Sequence, residues 1–356
     1  MKGEREFVDQ FNKSIWNLFE NALKIAYANP AQSYFFLKTL RAQKKASRKR
    51  AQWEKRGLHV PPFMIASITN RCNLHCSGCY AKARDISSHG EMSSEELKAL
   101  MNEASELGIS IVILGGGEPF ARRELMDITR KFPNIIFPVF TNGLLIDDEL
   151  MSGLMKQSNV VPVISMEGYE HQTDGRRGKG VHKAVRELIR KMNRDKIFYG
   201  LSLTVTTTNF DTLTNAYFIE RQVKTGCKLF FYIEYIPIKE GTEYLVIDQK
   251  QREELKDRVE SFATRFPGLF ITFPGDEEEF GGCLSAGRGF VHVSPKGDIE
   301  PCPFAPYSDS NLKDRSLKEA LCSDFLKKIR ESNKLGETNG GCALFTERQW
   351  VRSLIH

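Results

Sequence analysis

Apolar residues recur along this chain with two different periods. Near the start, Phe11, Ile15, Leu18, Phe19, Ala22, Leu23 and Ala26 follow the i, i+3, i+4, i+7 spacing of one helix face. Asn29-Pro30 ends that helix, and a second apolar patch, Tyr34, Phe35, Phe36, Leu37 and Leu40, follows it. From residue 63 to about 240, short apolar runs alternate with amphipathic stretches. The runs 63–69, 109–114, 135–140, 160–166, 199–206 and 229–236 read as strands. Helices are expected over 95–107, where Ser93 and Glu96 form a capping pair, and over 123–131, 148–156, 182–193 and 213–224. Six β–α units in series imply parallel strands with right-handed crossovers. Eight units would close a TIM barrel. Six predict a partial (β/α)6 barrel, open on one side, with reactive groups at the C-terminal strand ends.

After Pro237 the rhythm changes. A charged helix is expected over 249–266, then an acidic turn, Asp276, Glu277, Glu278 and Glu279. A hairpin over 290–294 and 298–300 turns at Pro295-Lys296-Gly297. The expected organisation is an α/β chain with four parts. These are a helical, basic extension (1–60), the partial barrel (61–240), a linking helix and strand (241–274) and a small C-terminal domain (275–356).

Composition narrows the class. A 41% hydrophobic and 27% charged chain is ordinary for a globular protein, and no apolar run approaches the roughly 18 residues of a membrane span. The opening MKGEREFVDQ lacks signal-peptide architecture. The expected compartment is therefore the cytoplasm, where disulfides are disfavoured and eight cysteines suggest metal or reactive chemistry. Between Arg41 and Arg56, eight basic residues face one acid, a local +7 that exceeds the whole chain's +6. That run is either a solvated helix face or a patch for an anionic surface. Because aromatics flank it, residues 1–56 are also a candidate for peripheral membrane contact.

Cys72, Cys76 and Cys79 lie in Asn-Arg-Cys-Asn-Leu-His-Cys-Ser-Gly-Cys-Tyr, directly after the first expected strand. Three thiolates in eight residues can wrap one iron–sulfur cluster. A structural zinc site wants four ligands, and His75 and His89 stand at no zinc spacing.

The C-x3-C-x2-C spacing with Tyr80 next to it resembles the cluster loop of radical S-adenosylmethionine (SAM) enzymes. The resemblance extends further. Gly115-Gly116-Gly117-Glu118-Pro119 resembles the GGE motif that holds the methionine amino group of SAM, and Thr141-Asn142-Gly143 resembles a TNG turn. Ser165-Met166-Glu167-Gly168 stands where relatives read Ser-x-Asp-Gly and touch the ribose; Glu keeps the carboxylate but lengthens its reach. Asp174-Gly-Arg-Arg-Gly resembles a D-x-x-R-G stretch, which makes Arg177 a candidate for the methionine carboxylate and equally a surface arginine. The resemblance thus implies a SAM-binding [4Fe–4S] cluster on Cys72, Cys76 and Cys79. It implies SAM contacts from Tyr80, Gly116, Gly117, Glu118, Pro119, Ser165, Glu167 and Arg177. It also implies reductive cleavage of SAM to a 5′-deoxyadenosyl radical, fed by a donor such as flavodoxin or ferredoxin. No protein acid or base is needed for that step, and no catalytic side chain is assigned beyond these ligands.

Cys283 and Cys302 bracket Gly297, with thirteen residues before the glycine and four after it. This resembles the opening of the SPASM and twitch extensions, which carry auxiliary iron–sulfur clusters. The block C-x2-C-x5-C-x3-C that completes a SPASM domain is missing, so the resemblance is to the shorter twitch form with one auxiliary cluster. Cys342, in Gly340-Gly341-Cys342, is the candidate third ligand. Cys322 lies in a helical stretch and is a weaker fourth candidate, and Cys227 reads as a structural thiol.

The substrate implied by most such relatives is a peptide or small metabolite. The aromatic and basic N-terminal extension raises a lipid or isoprenoid as the alternative. A remote third reading, a zinc-stabilised nucleic-acid-binding protein using Arg41–Arg56, predicts zinc and steep salt dependence; nucleic acid is not the expected partner.

Overall fold

The computed structural model describes residues 2–26, 30–84, 89–274, 280–336 and 341–355. Asn29, the acidic turn at Asp276 to Glu279 and Gly340 lie outside the described residues, as do the side chains of Phe11, Ala26 and Tyr34.

Two long helices, α1 (Lys2–Ala26) and α2 (Pro30–Glu54), precede the sheet. Alternation of strand and helix then gives β1 (Phe63–Thr69), α3 (Tyr80–Ala83), α4 (Ser94–Leu107), β2 (Ile111–Gly116), α5 (Leu125–Arg130), β3 (Phe137–Thr141), α6 (Asp148–Lys156) and β4 (Val160–Met166). The series continues with α7 (Glu170–Arg177), α8 (Val181–Arg194), β5 (Gly200–Val205), α9 (Phe210–Leu213), α10 (Ala216–Lys224), β6 (Leu229–Glu234), α11 (Gln249–Arg265) and β7 (Leu269–Phe273). Helix α4 starts where the capping pair places it. Ser93 Oγ accepts from Glu96 N, and Glu96 Oε2 accepts from Ser93 N, worth about 1 kcal/mol. The helix expected over 213–224 divides into α9 and α10. Asn215 starts the second piece, its side chain accepting from Tyr217 N.

The sheet is larger than six strands. Its order is β7-β6-β5-β4-β3-β2-β1-β8-β9, with β8 (Phe290–Val293) and β9 (Ile299–Glu300) forming the expected hairpin. Strands β1 to β7 are parallel throughout, and β8 adds to β1 in parallel, pairing Phe63 with Phe290 and Met64 with Val291. The cysteine-bearing C-terminal region is therefore not set apart from the barrel as its own layer. Its hairpin continues the same sheet. Among the described residues the two ends, β7 and β9, do not pair with each other, so the architecture is an open α/β barrel.

Strand residues alternate between two faces. One set, including Met64, Ala66, Ile68, Val112, Leu114, Val139 and Leu201, packs against the helices outside. The other set includes Ile111, Val161, Val163, Leu229, Phe231 and Leu269, and packs with Ile15, Phe19, Ala22 and Phe36 of α1 and α2. The helical hairpin therefore plugs the inside of the barrel near the N-terminal ends of its strands. Further along the same face, Ile65, Ile113, Ser165, Ser202, Thr204 and Ile233 line a cavity.

That placement bears on the N-terminal extension. The apolar face that suggested a membrane is covered by the barrel, with Phe36 ring edge against Phe198. The basic run splits in two. Arg41, Lys44, Lys45 and Arg48 are exposed, whereas Lys49 Nζ donates to Ser105 O and buried Arg50 donates to Gly108 O and Asn12 Oδ1. Burial lowers the pKa of Arg50 to about 10. Among the described residues, no helix is long and apolar enough to cross a membrane.

Candidate active site

The C-terminal ends of the strands surround a cavity of about 300 Å³. Six cysteines reach its wall, namely Cys72, Cys76 and Cys79 from the loop after β1, and Cys283, Cys302 and Cys342 from the C-terminal region. Between them lie mostly apolar side chains, among them Ile113, Phe140, Ile233, Phe273, Phe290 and Phe304.

Backbone contacts hold the loop from residue 70 to 80 in place. Gly117 N donates to Thr69 O, and Glu118 N donates to Arg71 O. Asn70 N and Thr69 Oγ1 both donate to Glu91. From the opposite side Ser77 N donates to Arg176 O. A glycine is required at 117 because a Cβ there would stand 2.2 Å from Arg71 O. Leu74 N and Asn142 Nδ2 are directed at Cys72 Sγ, at 3.5 and 3.9 Å. Burial raises the Cys72 and Cys76 thiols, and Arg177 pulls Cys76 partly back; a bound cationic cluster would override such shifts and hold thiolates.

The second trio converges from three places in the sequence. Gly297, with φ of 92°, turns the hairpin that returns the chain to Cys302. A hydrogen bond with Cys342 raises the Cys302 thiol far above its ordinary pKa; burial and the charges of Cys342 and Cys283 add to it. Cys283 Sγ donates to Ser285 Oγ at 3.2 Å. Cys322, the fourth candidate, is exposed at the end of α12 (Leu317–Leu321) and is not in the cavity wall. Cys322 thus stands apart from the three C-terminal thiols of the wall. Cys227 is buried and donates to Leu229 O, and burial pushes its thiol up to about 12. Among the described residues, no three His, Cys, Asp or Glu side chains converge tightly enough for a single metal ion. A four-iron cluster spreads its thiolates over a wider body than one ion does.

Gly116 and Gly117 are in the wall. Glu118 and Pro119 are buried behind it. Glu118 Oε1 accepts from Thr141 Oγ1 at 2.7 Å and from Phe120 N, and Oε2 accepts from Asn142 N at 2.8 Å. The Glu118 carboxylate thus ties the glycine turn to the Thr141-Asn142-Gly143 turn instead of facing a ligand. Pro119 opens a short 3-10 turn. Tyr80 lines the cavity; its hydroxyl interacts with the Ser67 side chain and the Gly116 backbone, and its ring meets Phe304 edge-on.

Ser165 also lines the wall, at the end of β4. One oxygen of Glu167 binds both Arg176 and Arg177. The other, Oε2, is buried with no partner. Burial works against the Arg177 charge, but Glu167, Cys76 and Cys79 outweigh it and hold the guanidinium above its ordinary pKa. Three thiols and a glycine cradle line one cavity, donor types that a cluster with bound SAM would need, whereas Glu167, with its unpartnered oxygen, is buried behind Arg176 and Arg177 of that wall.

Two features escaped the sequence. The first is a buried chain across the β1–β8 junction. Ser67 Oγ lies 2.8 Å from His292 Nε2, His292 Nδ1 lies 2.7 Å from Glu300 Oε2, and Glu300 Oε1 pairs with Arg84. The second is Glu234 at the end of β6, in the cavity wall and held by Arg252. Spacing gives no signal for either, since Ser67 and His292 are 225 residues apart.

Comparison with known proteins agrees with this geometry. Residues 66–220 match the model of the radical SAM superfamily. The chain is 29% identical over 177 residues to the Fe-coproporphyrin III synthase of Methanosarcina barkeri, a match covering 49% of this chain and 44% of that protein. It is 23% identical over 313 residues to the AdoMet-dependent heme synthase of the same organism, covering 80% of this chain and 89% of that one. Among solved structures, SuiB of Streptococcus suis bound to the precursor peptide SuiA superposes with a TM-score of 0.64 at 18% identity, covering 83% and 72% of the two chains. The cysteine loop and the glycine turn of this open barrel both lie within residues 66–220, the stretch that matches the radical SAM superfamily, and the chain is an enzyme.

Proposed function

We propose that this enzyme binds a [4Fe–4S] cluster on Cys72, Cys76 and Cys79, and SAM against Gly116, Gly117, Tyr80, Ser165, Glu167 and Arg177. An auxiliary iron–sulfur cluster binds on Cys283, Cys302 and Cys342. The observation that carries this reading is the opening of both cysteine trios onto one cavity. When bound, the reduced cluster and SAM supply a radical that takes a hydrogen atom from an unactivated carbon.

The chain's own residues position and exclude. Asn142 and Leu74 aim N–H groups at Cys72, where they stabilise thiolate charge. The second oxygen of Glu167 could accept from a ribose hydroxyl, whereas Glu118, expected at the methionine amino group, already accepts from Thr141 and Asn142. Isoleucine and phenylalanine side chains keep water from the space between the trios, where a radical needs protection. Three thiols in the auxiliary set leave one corner of a four-iron cluster for substrate or for an outside ligand.

The substrate is a small metabolite or a peptide side chain that presents an apolar group to this wall. Support for the first comes from the two Methanosarcina barkeri relatives, named an Fe-coproporphyrin III synthase and a heme synthase, and for the second from the peptide bound to SuiB. The lipid reading loses its footing, since the N-terminal apolar face packs inside the barrel. Iron and sulfide analysis of anaerobically reconstituted protein tests the cluster assignment. About eight irons per chain are expected, falling to about four in either Cys76→Ala or Cys342→Ala. About four irons in the unaltered chain would remove the auxiliary cluster.

A further inference from the structure

The buried chain at the β1–β8 junction lies on the inner face of the barrel. The strand register pairs His292 with Ile65, which lines the cavity, and Ser67 follows two residues later on the same face of β1. His292 is 0% exposed and Glu300 4%. A carboxylate only accepts, so His292 Nδ1 carries the hydrogen in its 2.7 Å contact with Glu300 Oε2, while the other Glu300 oxygen pairs with Arg84. Burial lowers the pKa of His292 and keeps the ring neutral, which leaves Nε2 as an acceptor. Ser67 Oγ, 2.8 Å away, therefore donates to Nε2, and its oxygen is left to accept from the Tyr80 hydroxyl. The Tyr80 oxygen in turn accepts from the Gly116 backbone N–H. From Gly116 to Glu300, every hydrogen points the same way.

We propose that Ser67 and His292 are positioning residues that hold the Tyr80 hydroxyl against the Gly116 backbone and so shape the wall that takes SAM. This rests on the proposed function and adds to it the residues that act from behind that wall. Packing alone does not call for such a chain. Apolar pairs, Phe63 with Phe290 and Met64 with Val291, already join the two strands, and buried polar groups cost more than apolar ones of the same volume. Tyr80 and Gly116 reach the cavity wall, and Ser67, His292, Glu300 and Arg84 stand behind it. The chain also closes on itself. Arg84 is the C-cap of α3, the helix that Tyr80 opens directly after Cys79. Helix α3 is therefore held at both ends, at Tyr80 through Ser67 and at Arg84 through Glu300. Glu300 lies two residues before Cys302, so the anchor of this series is the auxiliary hairpin.

A double-mutant cycle separates positioning from general support of the fold. SAM is titrated calorimetrically into anaerobic, iron-loaded enzyme without reductant, for wild type, Ser67→Ala, Tyr80→Phe and the double variant. Ser67→Ala is expected to bind SAM about fivefold more weakly, the scale of one hydrogen bond. Ser67 acts through the Tyr80 hydroxyl, so the same change made in Tyr80→Phe is expected to cost less than about twofold. His292→Leu is expected to match Ser67→Ala within about twofold. A loosened fold would instead weaken binding whether or not residue 80 carries a hydroxyl. Single effects that multiply in the double variant, a Ser67→Ala or His292→Leu variant that binds SAM as wild type does, or loss of iron from Ser67→Ala would each overturn the proposal. Wild-type enzyme that holds iron but binds no SAM strikes the proposed function itself. Normal SAM binding that does not depend on Ser67 strikes this inference alone.

Discussion

Glu118 Oε2 accepts the backbone N–H of Asn142 at 2.8 Å, so the carboxylate after the glycine triplet holds the neighbouring strand's turn. Three donors depend on it, the Thr141 hydroxyl and the N–H groups of Phe120 and Asn142. Glu118→Ala strands all three in a fully buried place. The expected loss is on the order of 3 kcal/mol in unfolding free energy, measured by denaturant titration. A loss below about 1 kcal/mol would mean that the turn is held by other contacts.

Gly117→Ala separates a packing role from a chemical one. The added methyl meets Arg71 O at 2.2 Å, backbone against backbone with no flexible tip to yield. The cluster loop must shift, and the variant is expected to fold but to retain less than about half the wild-type iron on the first trio. Circular dichroism and iron analysis on one sample check both halves. Full iron loading would show that the close approach is dispensable.

Cys322 and Cys342 are expected to differ. Cys322→Ala changes neither iron content nor stability by more than about 0.5 kcal/mol, as for an ordinary exposed site. Cys342→Ala loses the auxiliary iron, because Cys342 is the hydrogen-bond partner of Cys302 in the cavity wall. Matching iron counts in the two variants would reassign the third ligand.

His292 carries a pH signature. Burial lowers its pKa, against the pull of Glu300, so the folded chain holds it neutral while the unfolded chain titrates it near 6.5. The unfolded state therefore binds more protons as pH falls below about 6.5, and stability is present above that pH and lost as pH falls through the depressed folded value. The thermal midpoint is expected to drop between about pH 6.5 and 5.5, and to drop less in His292→Gln. Parallel curves for the two proteins would exclude His292 as the source.

Much of this was legible in the linear pattern. β1, β4 and α6 have the bounds that periodicity gave, and the Ser93–Glu96 box marks where α4 starts. Local signals explain that success, because caps and alternation act within a few residues. The parallel addition of β8 to β1 joins residues about 225 apart and leaves no trace in spacing. The same holds for the plug formed by α1 and α2. Ile15, Phe19 and Ala22 announce an apolar face, but nothing local says that the barrel interior covers it. Glu118 shows the same limit of local signals. A motif names a carboxylate, but only the fold shows that Thr141 and Asn142 already occupy it.

The most direct test of the central claim is 5′-deoxyadenosine formation by anaerobically reconstituted enzyme given dithionite and SAM. The wild-type chain should release it, Cys76→Ala should release none, and Cys342→Ala should retain a measurable fraction. No product from iron-loaded wild type, or equal product from wild type and Cys76→Ala, would contradict the assignment of the first three thiols to SAM cleavage.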